Sequence, residues 1–184
     1  MKKLFAVLTA LCLLCCSVAV FAEAAPAAPV ESPKPIYITP DVTFGMSQED
    51  VIKAHGNARY ERDVENDVPG LFIETLEFEH YRVMDNDFAE IHYYFINNRL
   101  IGAKANFDDN RTVFAKLESK LTAEHGNPTK VDPSMLGNAI FALDDDGRLS
   151  PNTVAWISGT TVIVLEQEHD DVNLSCLDLA EFTK

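Results

Sequence analysis

Two stretches of this chain repeat one pattern seventy positions apart, and that repeat limits the folds open to it. Phe44-Gly45-Met46-Ser47 leads to His55-Gly56-Asn57, and Phe114 leads to His125-Gly126-Asn127-Pro128. At this offset Phe44 falls on Phe114, Val51 on Leu121, and the two His-Gly-Asn endings coincide. Each stretch is an amphipathic helix pattern closed by glycine and followed by strand-like sequence. Self-similarity at a fixed offset marks a repeated supersecondary unit. The expectation is two helix-plus-antiparallel-sheet units in tandem, over residues 41–109 and 110–184.

Local signals fill in those units. Ser47 with Asp50 three residues on is a capping-box arrangement, in which a hydroxyl and a carboxylate satisfy backbone donors at a helix start. Met46, Val51, Ile52 and Ala54 supply a buried face, and Gly56 permits a left-handed exit, so the first helix is predicted over residues 48–55. Asp108, Asp109 and Asn110 offer caps for the second. Val113, Phe114, Leu117 and Leu121 then recur at three- and four-residue spacing until Gly126 and Pro128 end it. Between the helices the period falls to two. Ala89, Ile91, Tyr93 and Phe95 alternate with Glu90, His92, Tyr94 and Ile96; Asn97-Asn98 interrupts, and Ile101, Ala103, Ala105 and Phe107 resume, a β-hairpin with a tight turn. Further strands are predicted at residues 71–83, 139–143, 154–157, 161–166 and 173–179, with turns at Asp144-Asp145-Asp146-Gly147 and Ser158-Gly159. Seven short antiparallel strands and two helices make the fold class α+β.

The N-terminus predicts export. Lys2 and Lys3 form a positive n-region, residues 4–21 are nearly all apolar, and Val20-Phe21-Ala22 suits a signal peptidase, so residues 1–22 read as a signal peptide cleaved after Ala22. The alternative is a retained anchor, since a spanning helix needs roughly 20 apolar residues; the cleavage-like ending favours removal. Lipidation is not expected, because Leu11, Leu14 and Cys15, instead of small residues, precede Cys12, Cys15 and Cys16. Residues 23–40 carry prolines at 26, 29, 33, 35 and 40 among alanines and read as an extended tether. The localisation expected is periplasmic or secreted, with no stable membrane span after cleavage.

Cleavage removes three of the four cysteines and leaves Cys176, so no internal disulfide is expected and the fold must hold by its core. It also shifts the formal charge from −14 to −16, thirteen basic side chains against twenty-nine acidic. Such a surface repels phosphate backbones and anionic lipid headgroups, which argues against nucleic acid as a partner and against acidic membranes.

These residues carry a resemblance. Phe44-Gly45-Met46-Ser47-Gln48-Glu49-Asp50-Val51-Ile52 with His55-Gly56-Asn57 resembles the opening of the SmpA/OmlA family, the small outer-membrane assembly lipoproteins of the BamE type. The hairpin ending Tyr94-Phe95-Ile96-Asn97-Asn98-Arg99-Leu100 is similar to that family's closing strands. Inhibitors of the beta-lactamase-inhibitory-protein type, two such units in tandem, are the nearer architectural parallel. The resemblance covers residues 40–107 by motif and 110–182 by pattern only. It implies the fold. Ala58 stands where the family usually has proline and the lipidation cysteine is missing, so outer-membrane anchoring and membership of the assembly machine are not carried over.

Chemistry is sparsely marked. The histidines, His55, His80, His92, His125 and His169, show no close zinc spacing. His55 and His125 sit where an imidazolium would face the negative end of a helix dipole, while His80 and His92 lie on neighbouring predicted strands within reach of each other. Asp144, Asp146, Gly147 and Leu149 have the spacing of the middle of a calcium loop, but its first and last ligands would fall on Ala142 and Thr153, so a hairpin turn is expected. Glu77 and Glu79 read as a solvated strand face, Cys176 as an inert core thiol, and Trp156 as a core anchor. No G-x-S-x-G or phosphate loop is present in the sequence. No cofactor, metal or catalytic residue is assigned. A sheet with helices on one side leaves its other face for Glu90, His92, Tyr94 and Lys104, the candidate protein-interaction face. The reading is therefore an exported, non-enzymatic protein acting by protein–protein contact with an envelope or secreted partner. The alternative is a small-ligand or cation binder using the cleft between the units.

Overall fold

Ser47 opens the first helix with a reciprocal cap: its hydroxyl accepts from the Asp50 N–H at 3.2 Å and donates to Asp50 Oδ2 at 2.7 Å. The helix, α1 (Gln48–His55), ends at Gly56 with φ +65°, a backbone conformation that costs glycine little. The computed structural model describes residues 38–65, 71–83, 87–107, 111–143 and 147–182. Strands β1 (Glu61–Glu65), β2 (Ile73–Val83), β3 (Asp87–Ile96) and β4 (Arg99–Phe107) follow α1. The longer helix α2 (Arg111–His125) precedes β5 (Thr129–Lys130), two 3-10 stretches (Pro133–Met135 and Gly137–Ala142), β6 (Asn152–Ser158), β7 (Thr161–Glu168) and β8 (Asp171–Asp178). The leader and residues 23–37 of the predicted tether lie outside the described residues. Ile38 and Thr39, at the tether's end, are buried, so the folded part starts ahead of the expected boundary.

Eight strands form one antiparallel sheet in the order β1-β2-β3-β4-β8-β7-β6-β5. In both halves the chain gives a helix and then four strands that step inward from an outer edge, and the halves meet at a β4–β8 ladder pairing Gly102 with Leu177 through Phe107 with Val172. The fold is α+β and mostly sheet. The predicted hairpin is β3–β4. Asn97 and Asn98 take φ of 51° and 59°, the positive values a two-residue primed turn requires. That turn also holds α1, since Asn98 Oδ1 accepts from the Gln48 N–H, the Leu100 carbonyl accepts from the Gly45 N–H, and the Leu100 N–H donates to the Met46 carbonyl.

Each sheet face is packed. On one, Val51 of α1 and Leu117 and Leu121 of α2 bury against a layer that crosses both halves, including Phe78, Ile91, Tyr93, Phe95, Ile163, Leu165 and Leu174. Trp156 belongs to this layer, and its indole N–H donates to the Gly126 carbonyl just past the end of α2 at 2.8 Å. Cys176 is buried there too. On the opposite face Leu136, Ala139, Ile140, Ala142, Leu143 and Phe182 cover Ile73, Tyr94, Ile101, Val162, Val164 and Leu177.

This second layer corrects the predicted strand at residues 139–143, which is 3-10 helix. Leu136, Ala139 and Ala142 recur every three residues, the period of that helix, and it is this spacing that buries them. Two strands were not expected. β1 is charged along its length and pairs through backbone groups with β2, as suits a sheet edge that must resist further pairing; β5 is only two residues long. Asp144, Asp145 and Asp146, the calcium-loop-like turn, lie outside the described residues. No helix among the described residues is long and apolar enough to cross a membrane.

Candidate functional site

Strand register assembles a charged row on the sheet face opposite the helices. Glu61 of β1 faces Glu77 of β2, Glu77 faces His92 of β3, and His92 faces Lys104 of β4. One step along β3, Glu90 faces Asn106. Side chains two apart on a strand share a face, so Glu90 and His92 lie together above the Glu77 position. His92 stands between the two carboxylates, Nδ1 at 4.0 Å from Glu77 Oε2 and Nε2 at 3.6 Å from Glu90 Oε1. One donor atom from each of the three side chains falls within 4.8 Å of the others.

The electrostatics follow from this crowding. Glu77 is pushed up to about 7, first by a hydrogen bond with Glu90, then by partial burial and by the negative charges of Glu90, Glu61 and Glu79. The same hydrogen bond holds Glu90 below the ordinary carboxylate range, against the effect of its own burial. Glu77 thus takes up a proton more readily than an ordinary carboxylate, while Glu90 gives one up more readily. Burial lowers the His92 imidazole, opposed by the Glu90 charge and helped by Lys104.

Of the four residues expected on an open interaction face, the structure brings Glu90 and His92 together and places the other two differently. Tyr94 is 3 % exposed, in the apolar layer beneath the 3-10 stretches. Lys104 is half-buried, and its ammonium donates to the Leu143 carbonyl at 2.9 Å. The expectation of a bare face fails there because the segment read as a strand in the sheet lies across the sheet. Glu77 enters the site from the residues read as plain surface. Its partner is Glu90, across the β2–β3 pair, and not Glu79, which lies in the bulge between Phe78 and Tyr81. His80, with φ +50°, occupies the same bulge, and the residue opposite His92 is Glu77, so the His80–His92 pairing is not formed.

A second polar group lies under the helices. His55 Nε2 and the Tyr93 hydroxyl are 2.7 Å apart, and that hydroxyl is 2.8 Å from Thr39 Oγ1. The His55 ring stacks on Phe78 at 4.1 Å and is 7 % exposed. Burial lowers its pKa to about 4 and raises that of Tyr93. His55 is therefore a neutral core side chain at physiological pH, which corrects the charged helix-capping role expected of it; His125, by contrast, is exposed at the end of α2.

Between the halves the β4–β8 ladder pairs six consecutive residues without a break. Among the described residues, the histidine and carboxylate cluster sits over β2 and β3. No family model, curated protein or solved structure matches the chain at a significant level.

Proposed function

We propose that this chain is an exported cell-envelope protein, periplasmic or secreted, that acts by binding another protein through the acidic outer half of its sheet. The observation that carries the reading is the uneven cover of the face opposite the helices. The 3-10 segment seals that face at Tyr94 and Lys104, whereas Glu61, Glu77 and Glu90 remain partly open to solvent and the Phe88 ring is 56 % exposed beside them. The Phe88 ring, with the Arg82 guanidinium over it at 5.4 Å, lies at one end of the row of carboxylates, and such a face suits a partner surface with basic residues beside an apolar spot, because the ring buries area at small entropic cost and the charges steer approach. The leader-like N-terminus and the net charge of −14 agree with an exported partner-binding protein.

We infer also that the two halves are tandem units of the SmpA-like or beta-lactamase-inhibitory-protein-like kind. The offset of seventy residues and the mirrored strand order around the β4–β8 seam support this. The function is tested by affinity capture of the tagged protein, without crosslinking, from envelope extract. A stoichiometric protein partner is expected, released by 0.5 M salt and lost in a Phe88→Ala, Glu61→Lys variant that keeps its far-UV circular dichroism, since screening at that ionic strength weakens exposed charge pairs. Recovery of the same partner by the folded variant refutes the surface, and absence of any stoichiometric partner refutes the function.

A further inference from the structure

We propose that Glu77, Glu90 and His92 form a binding site for one divalent transition-metal cation of the Zn2+ class, held by one imidazole nitrogen and two carboxylates. The inference goes beyond protein binding and does not depend on it. The donor set is mixed, and its geometry comes from strand register: Glu77 and His92 are directly opposed, and Glu90 precedes His92 by two on the same face. All three side chains are partly buried, with 31 %, 41 % and 21 % of their surface exposed for Glu77, Glu90 and His92, so each is partly stripped of water and still reachable from solvent.

His92 Nε2 is an enclosed ring nitrogen with no hydrogen-bond partner among the described residues. A buried imidazole nitrogen without a hydrogen bond is costly, and metal coordination is one way to satisfy it. It points at Glu90 from 3.6 Å, too far for a hydrogen bond and close enough for both groups to share an ion. Asn106, opposite Glu90, gives that carboxylate a side-chain hydrogen bond, which favours its ionised form. Lys104, the cation nearest in register, is turned to the Leu143 carbonyl.

Donor atoms in a tetrahedral Zn2+ site are roughly 3.4 Å apart, given bonds of roughly 2.0–2.1 Å. The three donor atoms lie within 4.8 Å of one another, and rotation about the glutamate side-chain bonds is the adjustment an ion would require. The imidazole selects the ion class. Ca2+ takes six to eight oxygens and Mg2+ prefers carboxylates and water in octahedral array, whereas one nitrogen with two carboxylate oxygens is a Zn2+-type set that leaves a fourth position for water.

The test titrates the exported form, residues 23–184, which lacks the leader thiols that would themselves take up zinc, with ZnCl2 alone, followed by calorimetry and native mass spectrometry. One equivalent is expected, insensitive to millimolar Ca2+, and weakened at least about tenfold by His92→Asn or Glu90→Gln, with His169→Asn as an unaffected control. Zinc X-ray absorption on the unsubstituted protein gives a reading that needs no variant: one imidazole with oxygen neighbours supports the site. Absence of stoichiometric binding, affinity unchanged in the folded variants, or a spectrum with two or more imidazoles, which places the ion on surface histidines, overturns it.

Discussion

His55 shows how one buried side chain sets a pH dependence for the whole fold. In the folded chain its pKa lies near 4, pulled down from 6.5 by burial against Phe78 and Tyr93, whereas the unfolded chain titrates at the ordinary value. The neutral form is the one the fold accepts. Its contribution is complete above pH 6.5 and is lost as pH falls from there toward 4, because the unfolded state takes up the proton first. The full shift would be worth about 3 kcal/mol, and solvent screening reduces this to about 2 kcal/mol. Urea denaturation at pH 7.5 and at pH 4.5 is expected to show that loss, and His55→Phe should remove most of the His55 part of it while leaving the general acid effect of the carboxylates. A difference between the two pH values as large in His55→Phe as in the parent would contradict this account.

At the level of elements, what the sequence makes legible is what neighbours in sequence determine. The capping pair Ser47 and Asp50, the Asn97-Asn98 turn and the alternation from Ala89 to Phe107 are local signals, and each element formed where expected. β1 was hidden because Glu61, Arg62, Asp63 and Glu65 carry no apolar alternation; the strand exists through backbone pairing with a neighbour. The stretch around Ile140 forms 3-10 helix and not the expected strand, because a short apolar run looks alike as buried strand or buried helix. The site shares that history. Glu90 and His92 could be placed on one face from their spacing, but Glu77 joins them only through the β2–β3 register, and a bulge at Phe78 and Tyr81 sets which glutamate it is. The 3-10 segment also carries a prediction. Ile140 is 6 % exposed in the second apolar layer, so Ile140→Ala should cost about 2–4 kcal/mol in chemical denaturation. A cost below about 1 kcal/mol would mean that the segment only rests on the sheet.

For the molecule as a whole, the seam between halves is the place where stability is shared. A Cβ built on Gly102 would come within 2.5 Å of Leu177 Cδ2 and 3.4 Å of the Cys176 carbonyl, so the buried Leu177 side chain occupies the space that a side chain at position 102 would need. Gly102→Ala is expected to destabilise by about 1–3 kcal/mol through overpacking. The apolar layer under the helices also crosses the seam, with Ile91 and Tyr93 on one side and Ile163 and Leu174 on the other. Unfolding of the variant should therefore remain one transition, with Trp156 fluorescence and far-UV circular dichroism coincident. Two separated transitions would show the halves melting independently.

The β4–β8 ladder has one more implication. Its bonds are donated and accepted by peptide groups, which are the same at every residue, so the joint itself imposes almost no vocabulary on the side chains flanking it, Gly102 excepted. One flank is free to gather glutamates and an imidazole while the other fills with valine and leucine, and the two stay welded in register.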